Sequence, residues 1–254
     1  MTRRAHLAWG IVGIVVVLSA MQLAVGTGLV SEQSVPTASA MLVGVAKLAV
    51  SSGFLAALTD TLWSTMIAFV AAGLAGTVLG VVLGASDRLY RSVSGLIDML
   101  RPIPSVALLP VAILLFGIGL EMKVLLATYA AFWPVLINTI YGVRDVDRVM
   151  VATARGFAWG RMRVMRQVML PAALPFVATG LRVASAVALV VVLTAELLAA
   201  EHGVGTVIRA YQVAGRADFV YAGVVVVAVV GLVLNVIVSL GERRLVHWAP
   251  QNRG

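Results

Sequence analysis

Four ionisable side chains stand inside, or at the edges of, otherwise apolar runs: Asp98 and Arg101 in SGLIDMLRPIPSV, Arg182 in TGLRVASAV, and Glu196 in VLTAELLAAEHG. A charge in such a run is costly to take out of water and ordinarily faces protein or a water-filled route, so each is a candidate for a translocation pathway or its gate. Asp98 and Arg101 are three residues apart on one helical face, where they can neutralise each other as a tether at the inner interface or as part of a gate. Arg182 falls a turn or two from the inner end of its run, within snorkelling reach of water, and Glu196 near the outer end, where it can bond loop amides. Enzyme chemistry finds no foothold. The chain lacks G-x-x-x-x-G-K-[ST], H-E-x-x-H and G-x-S-x-G, and His6, His202 and His247 are far apart. There is no cysteine and hence no disulfide framework. The sequence therefore predicts no catalytic residue, no metal site and no ATP hydrolysis by this chain itself.

The elements that must carry these charges are membrane helices. Of 254 residues, 61% are hydrophobic, far above an ordinary soluble domain. They fall into blocks of the length a helix needs to cross a bilayer, without the alternation of a membrane β-barrel. The blocks run over residues 7–26, 62–85, a kinked block at 93–120, 124–141, 177–200 and 219–241, which predicts an all-α membrane protein with six spans. The first block, after Thr2-Arg3-Arg4 and with small residues around Ala24, resembles a cleaved export signal. It is longer than a signal core, and we expect it to be retained. Residues 27–61 form an outer segment with an amphipathic piece around Met41–Leu58, suited to the membrane surface.

Charge sets the orientation. With the first residues inside, the inner segments hold Arg3, Arg4, Arg88, Arg91, Arg144, Arg148, Arg155, Arg161, Arg163, Arg166, Arg243, Arg244 and Arg253, whereas the outer segments hold only Lys47, Lys123, Arg209 and Arg216. This asymmetry places both termini in the cytoplasm and explains the net charge of +8 without a nucleic-acid partner.

Two patterns concern packing. Gly76, Gly80 and Gly84 recur every fourth residue, a stripe where another backbone can approach, either within the chain or across a dimer seam. Pro102, Pro104 and Pro110 remove backbone donors and break or kink the third block.

Between the fourth and fifth blocks lie residues 142–176, long for a connector and rich in arginine. Gly156 and Gly160 interrupt a helical pattern in which Val164, Val168 and Met169 alternate with Arg163, Arg166 and Gln167, and Leu170-Pro171 is expected to end that helix before the next span. Arg155 and Arg161 add to its basic rim. A short helix with an apolar face and a basic rim suits a groove on another protein, or else the membrane surface.

This segment resembles the cytoplasmic E-A-A loop of permease subunits of ATP-binding-cassette importers. Aligned on Leu170-Pro171, the residues Ala152, Thr153 and Ala154 occupy the E-A-A positions and Ala158 the loop glycine, and the Leu-Pro-Ala-Ala-Leu-Pro ending is intact. The acidic residue and the glycine are both replaced, with Gly156 and Gly160 close enough to supply the turn. RPIPSVALLPVAILLFGIG, FWPVLINTIYGVRDVD, LRVASAVALVVVLTAELLAAEHGVG and the closing GERRLVHW also look like the branch associated with nitrate, aliphatic sulfonates and taurine. The resemblance implies a type I importer permease in the cell membrane, with residues 1–61 as an N-terminal helix plus outer segment and 62–248 as the permease core. It implies two cytoplasmic ATPase subunits that bind ATP and Mg, an extracytoplasmic substrate-binding protein, and a second copy of the permease surrounded by lipid. Coupling to the ATPase would fall to Arg155, Gly156, Gly160, Arg161, Arg163, Val164, Arg166, Leu170 and Pro171. A secondary transporter or channel without an ATPase is the alternative; it favours paired broken helices in both halves, and only the third block is broken.

The orientation is testable because any introduced cysteine is unique. In intact cells, an impermeant thiol reagent should label Ser34→Cys and leave Arg161→Cys unmodified until the membrane is opened. Labelling of position 161 in sealed cells would reverse the topology.

Overall fold

The computed structural model describes residues 3–245, and all regular structure among them is helical. His247, Trp248 and Arg253, with the expected end of the permease core, lie outside the described residues. In chain order the helices are α1 (Arg3–Gly26), α2 (Ala38–Val50), α3 (Ser52–Gly84), α4 (Asp87–Leu100), α5 (Leu109–Phe116), α6 (Leu120–Arg144), α7 (Arg148–Gly156), α8 (Arg161–Val164), α9 (Leu170–Ala199), α10 (Val204–Val213) and α11 (Ala217–Leu245). A 3₁₀ turn over Ser105–Leu108 leads into α5, and a π turn over Met165–Met169 joins α8 to α9.

Four stretches are long and apolar enough to cross a membrane: α3, α6, the continuous helix Arg161–Ala199, and Ala217–Arg244. A fifth is possible as a bent pair, α4 with Ser105–Phe116, whose halves meet at 81°. The proline-rich break therefore falls where the sequence places it. Pro104 caps the 3₁₀ turn and Pro110 sits in the first turn of α5, where its missing N–H costs nothing. The expected first span lies on α1, whose described apolar part, Val12–Gly26, is shorter than a crossing.

The contacts divide the chain into two units. One comprises the residues up to Asp60 with His202–Val230. Here the expected amphipathic piece is corrected: it ends at Ser51, which caps α2, because residues from Ser52 onward already belong to the 33-residue α3. Thr37 caps the start of α2, and its buried face, Ala38, Met41, Gly44 and Leu48, packs on protein. A Cβ on Gly44 would stand 3.0 Å from that of Ala222. At the start of α11, Arg216 pairs with Asp218 at 2.8 Å and lies over the Phe219 ring. The hydrogen bond to Asp218 raises the Arg216 guanidinium above its usual pKa.

The other unit comprises Thr61–Glu201 and the chain from Gly231 onward. Its centre is the pair α6 and α9, which lie side by side along most of their lengths. The seam is built from small residues: Ala127, Ala131, Ala184, Ala188 and Ala195 are buried. A Cβ on Gly180 would come within 3.0 Å of the Pro134 carbonyl, and one on Gly142 within 2.6 Å of Phe176 Cβ. The glycine stripe of α3 meets α6 in register, since added Cβ atoms at Gly76, Gly80 and Gly84 would stand 2.8, 2.5 and 2.8 Å from the Cβ atoms of Val135, Thr139 and Val143. Of the two readings of the stripe, the contact within the chain is the one formed.

Real Cβ atoms do not approach to such distances, so Gly80→Ala should already destabilise the protein by about 2 kcal/mol through overpacking, and Gly80→Leu should abolish accumulation. Gly13→Leu, at a position with open space around it, serves as control. Yield and thermal stability in detergent report the outcome, and a normal yield for Gly80→Leu would remove the stripe from the core.

Candidate functional site

The segment between α6 and α9 is an ordered helical hairpin. Asp147 caps α7 by accepting from the Val149 amide at 2.7 Å, and α7 ends in a turn closed by Phe157 N donating to Thr153 O at 3.1 Å and Trp159 N to Ala154 O at 3.2 Å. The turn itself is made by Ala158, whose φ of 56° is the only positive value among described residues other than glycine. That conformation costs an alanine on the order of 1 kcal/mol relative to glycine. The expectation that Gly156 or Gly160 supplies the turn is thus corrected: Gly156 closes α7 and Gly160 is extended at φ −66°.

Beyond Gly160 the chain enters α8 and does not stop at Leu170-Pro171 as expected. It passes through the π turn straight into α9, one helix from Arg161 to Ala199. Leu170 and Pro171 open α9, and the wider turn before them accommodates the proline, whose ring would otherwise clash with the preceding helical carbonyl.

A second correction concerns Val164. It is only 3% exposed, turned inward beside Met165 and Met169, and unavailable to a partner. The apolar groups that the hairpin does present outward are Phe157 and Met162, 74% and 66% exposed, with Val149 and Met150 on α7. Arg155, Arg161, Arg163 and Arg166 of the same segment are also exposed. Arg163 is held in place by stacking 4.5 Å over Trp159 and by donating to Gln167 Oε1 at 3.1 Å. Arg155 and Arg161 border a cavity of about 500 Å³ with Asp87 and Arg88 at the start of α4. Arg144 joins the end of α6 to this corner, bonded to Asp87 at 2.6 Å and stacked on Tyr90.

The four charges predicted for a pathway separate. Glu196 is fully buried, bonded to Lys123 Nζ at 2.9 Å and accepting from the Thr61 hydroxyl at 2.8 Å. It joins α3, α6 and α9. Arg182 bonds Glu242 of α11, so it does not simply snorkel. Asp98 and Arg101 are both exposed and, among the described residues, make no ion pair with each other. Asp98 sits within the last turn of α4 while Arg101 caps it, at the edge of a cavity along α6. Sequence reasoning missed Lys123 and Glu242 as partners. The available signal was opposite charges at matching distances from the ends of apolar blocks.

Comparison with known proteins places this architecture. Residues 74–247 match the family described as binding-protein-dependent transport system inner membrane component. The chain is 31% identical over 239 residues to the putative aliphatic sulfonates transport permease protein SsuC of Bacillus subtilis (strain 168), covering 94% of this chain and 87% of that protein. It is 32% identical over 225 residues to the taurine transport system permease protein TauC of Escherichia coli (strain K12), covering 87% and 82%. The nitrate import permease protein NrtB of Leptolyngbya laminosa is 28% identical over 180 residues, covering 71% and 64%. In fold, the inward-facing MetNI methionine ABC transporter aligns with a TM-score of 0.65 at 20% identity over 77% of this chain and 99% of that one. A bacterial ABC transporter involved in import of the acidic polysaccharide alginate aligns at 0.67 and 15% identity, over 94% and 93%.

The buried pair yields a prediction. Glu196→Gln takes the negative charge away from the buried Lys123 ammonium and should cost about 3 kcal/mol, whereas Lys123→Met combined with Glu196→Gln should recover much of that loss. Thermal denaturation of the unsubstituted protein, both single variants and the double variant gives the coupling, and strict additivity would show that the contact carries none.

Proposed function

This chain belongs to the family of binding-protein-dependent transport system inner membrane components, the permeases of ATP-binding-cassette importers, and we propose that it forms the pathway for a small oxyanion such as a sulfonate or nitrate. Two copies of the chain, each with six spans and both termini cytoplasmic, would line that route at their interface. Residues 62–248 would form the permease core. A binding protein on the outer face would deliver the cargo. ATP and Mg would be handled by two ATPase subunits, leaving this chain without catalysis of its own.

The observation that carries this reading is the hairpin of α7 and α8, which presents Phe157 and Met162 among arginines and runs unbroken into α9. An apolar knob with a basic rim fits a groove with acidic edges on an ATPase. Arg155, Arg161, Arg163 and Arg166 would meet those edges, and Gly156, Gly160, Leu170 and Pro171 would shape the backbone that presents them. Because α8 and α9 are one helix, movement of the docked ATPase would pass to the membrane as a rigid-body displacement.

Val164 enters this reading as internal support for the hairpin and not as a contact. Phe157→Asp and Met162→Asp should therefore release the ATPase while the permease still accumulates, since each would bury a charge in the docked contact. Val164→Asp should lower the yield of the permease itself. Arg166→Gln should weaken docking by only about 1 kcal/mol, and the difference should shrink with added salt. Co-purification of the ATPase with each variant, and cargo-stimulated ATP hydrolysis in proteoliposomes, provide the readout. If both aspartate variants retain a bound and coupled ATPase, the hairpin is not the docking element.

A further inference from the structure

Midway along α6 lies a cavity of about 340 Å³ whose lining includes Arg101, Ser105, Tyr129, Trp133 and Asn138. The segment Tyr129–Asn138 runs from about 13 Å past the first residue of α6 to about 9 Å short of its last, at 1.5 Å per residue. This depth is well inside a spanning helix, away from either headgroup layer.

Arg101 is the only charged residue that lines this cavity, and it is exposed without an ion-pair partner among the described residues. A guanidinium at such depth is tolerated where it faces water or a solute, not lipid. A second observation comes from Trp133. The residue is 9% exposed, and its indole N–H is buried with no acceptor. Edge-on contacts with Tyr129 and Phe132, at 5.7 and 5.1 Å between ring centres, hold the ring. A buried donor left without a partner is uncommon and calls for one. Two neighbouring donors are already committed: the Tyr129 hydroxyl donates to Leu100 O at 2.6 Å, and the Asn138 amide to Pro134 O at 2.7 Å. That leaves the Arg101 guanidinium, the Trp133 N–H and the Ser105 hydroxyl as donors with no partner, beside the second N–H of Asn138, with no carboxylate among the described lining residues and with Ile103, Ala130 and Ile137 as apolar wall.

We propose that this cavity is an oxyanion subsite within the membrane, in which Arg101 and Trp133 hold the sulfonate or comparable head of a small organic anion while its aliphatic body lies on Ile103 and Ile137. The identity of the anion as cargo rests on the importer reading, but the site itself does not. Discrimination would then lie partly in the permease: a solute lacking the oxyanion leaves the Trp133 donor and the Arg101 charge unanswered.

Because the chain has no cysteine, Ile103→Cys places a single thiol on the cavity wall and keeps these donors. The probes are two methanethiosulfonate reagents, one carrying ethylsulfonate and one carrying ethyltrimethylammonium. Each rate is normalised to that with a free thiol in solution, using the full chain in phosphatidylcholine nanodiscs. The anionic reagent should react about tenfold faster, a factor that corresponds to roughly 1.4 kcal/mol. Excess ethanesulfonate should protect the thiol while propanol does not. Arg101→Gln should abolish the preference, and Arg101→Lys should retain it. Trp133→Phe, which keeps the ring and removes the N–H, should retain the preference but weaken ethanesulfonate protection several-fold. Equal normalised rates, or protection by added phosphatidylglycerol in place of ethanesulfonate, would overturn the subsite. Labelling needs no ATPase, so failure here with the ATPase still bound removes the subsite alone. Labelling as expected without ATPase binding removes the importer reading and leaves the subsite.

Discussion

Helices in hydrocarbon gain little by hiding apolar side chains from one another, because the lipid is equally apolar. Association depends on how closely backbones can approach. The permease unit meets that demand around α6. On one side Gly76, Gly80 and Gly84 of α3 admit Val135, Thr139 and Val143, and on another Gly142 and Gly180 bring α9 close enough for alanines to fill the seam. Close approach multiplies weak dispersion contacts. The proposed docking hairpin and the proposed subsite both hang from this three-helix arrangement: the hairpin joins the end of α6 to the start of α9, and the cavity opens along the middle of α6.

Charge is distributed accordingly. Lys123 and Glu196 clasp one end of the α6–α9 pair with the help of Thr61, and Arg144 with Asp87 joins the other end of α6 to α4. Arg182 and Glu242 attach α11 to α9. Small residues alone make a smooth seam, and an ion pair at a defined position fixes its register. Arg101 differs from these residues by having no carboxylate on it among the described residues, and that difference separates an anchoring charge from one able to meet a solute.

Much of this was legible in the sequence. The apolar blocks, the glycine stripe and the proline break need only local rules, and α3, the bent pair, α6, α9 and α11 appear where those rules place them. The failures have a common cause. Val164 alternates with arginines and reads as an outward apolar face, but its direction is set by α7 folding back over it, which no local pattern records. Pro171 reads as a stop because proline excludes an α-helical donor, and the π turn that admits it has no sequence signature. Asp98 and Arg101 have the right spacing for a pair, yet the helix ends between them. Glu196 and Lys123 are 73 positions apart, and only the packing of two long helices brings them together. Ala158 stands where the family's loop glycine falls, but an alanine seldom adopts a left-handed φ, so the turn reads as belonging to the glycines nearby.

The π turn at Met165–Met169 also bears on how this chain could diverge. A π turn amounts to one surplus residue inserted into an α-helix, and each residue turns the helix by about 100°. Loss of a single codon from this stretch would let the helix relax to regular geometry and would rotate everything before it about the axis of α9. Met162 and its flanking arginines would then point around the side of the helix, even though every one of them remained in the chain. A chain that keeps the proposed docking face would therefore be constrained in the spacing between the hairpin and Pro171 more tightly than in the identities of the residues between them.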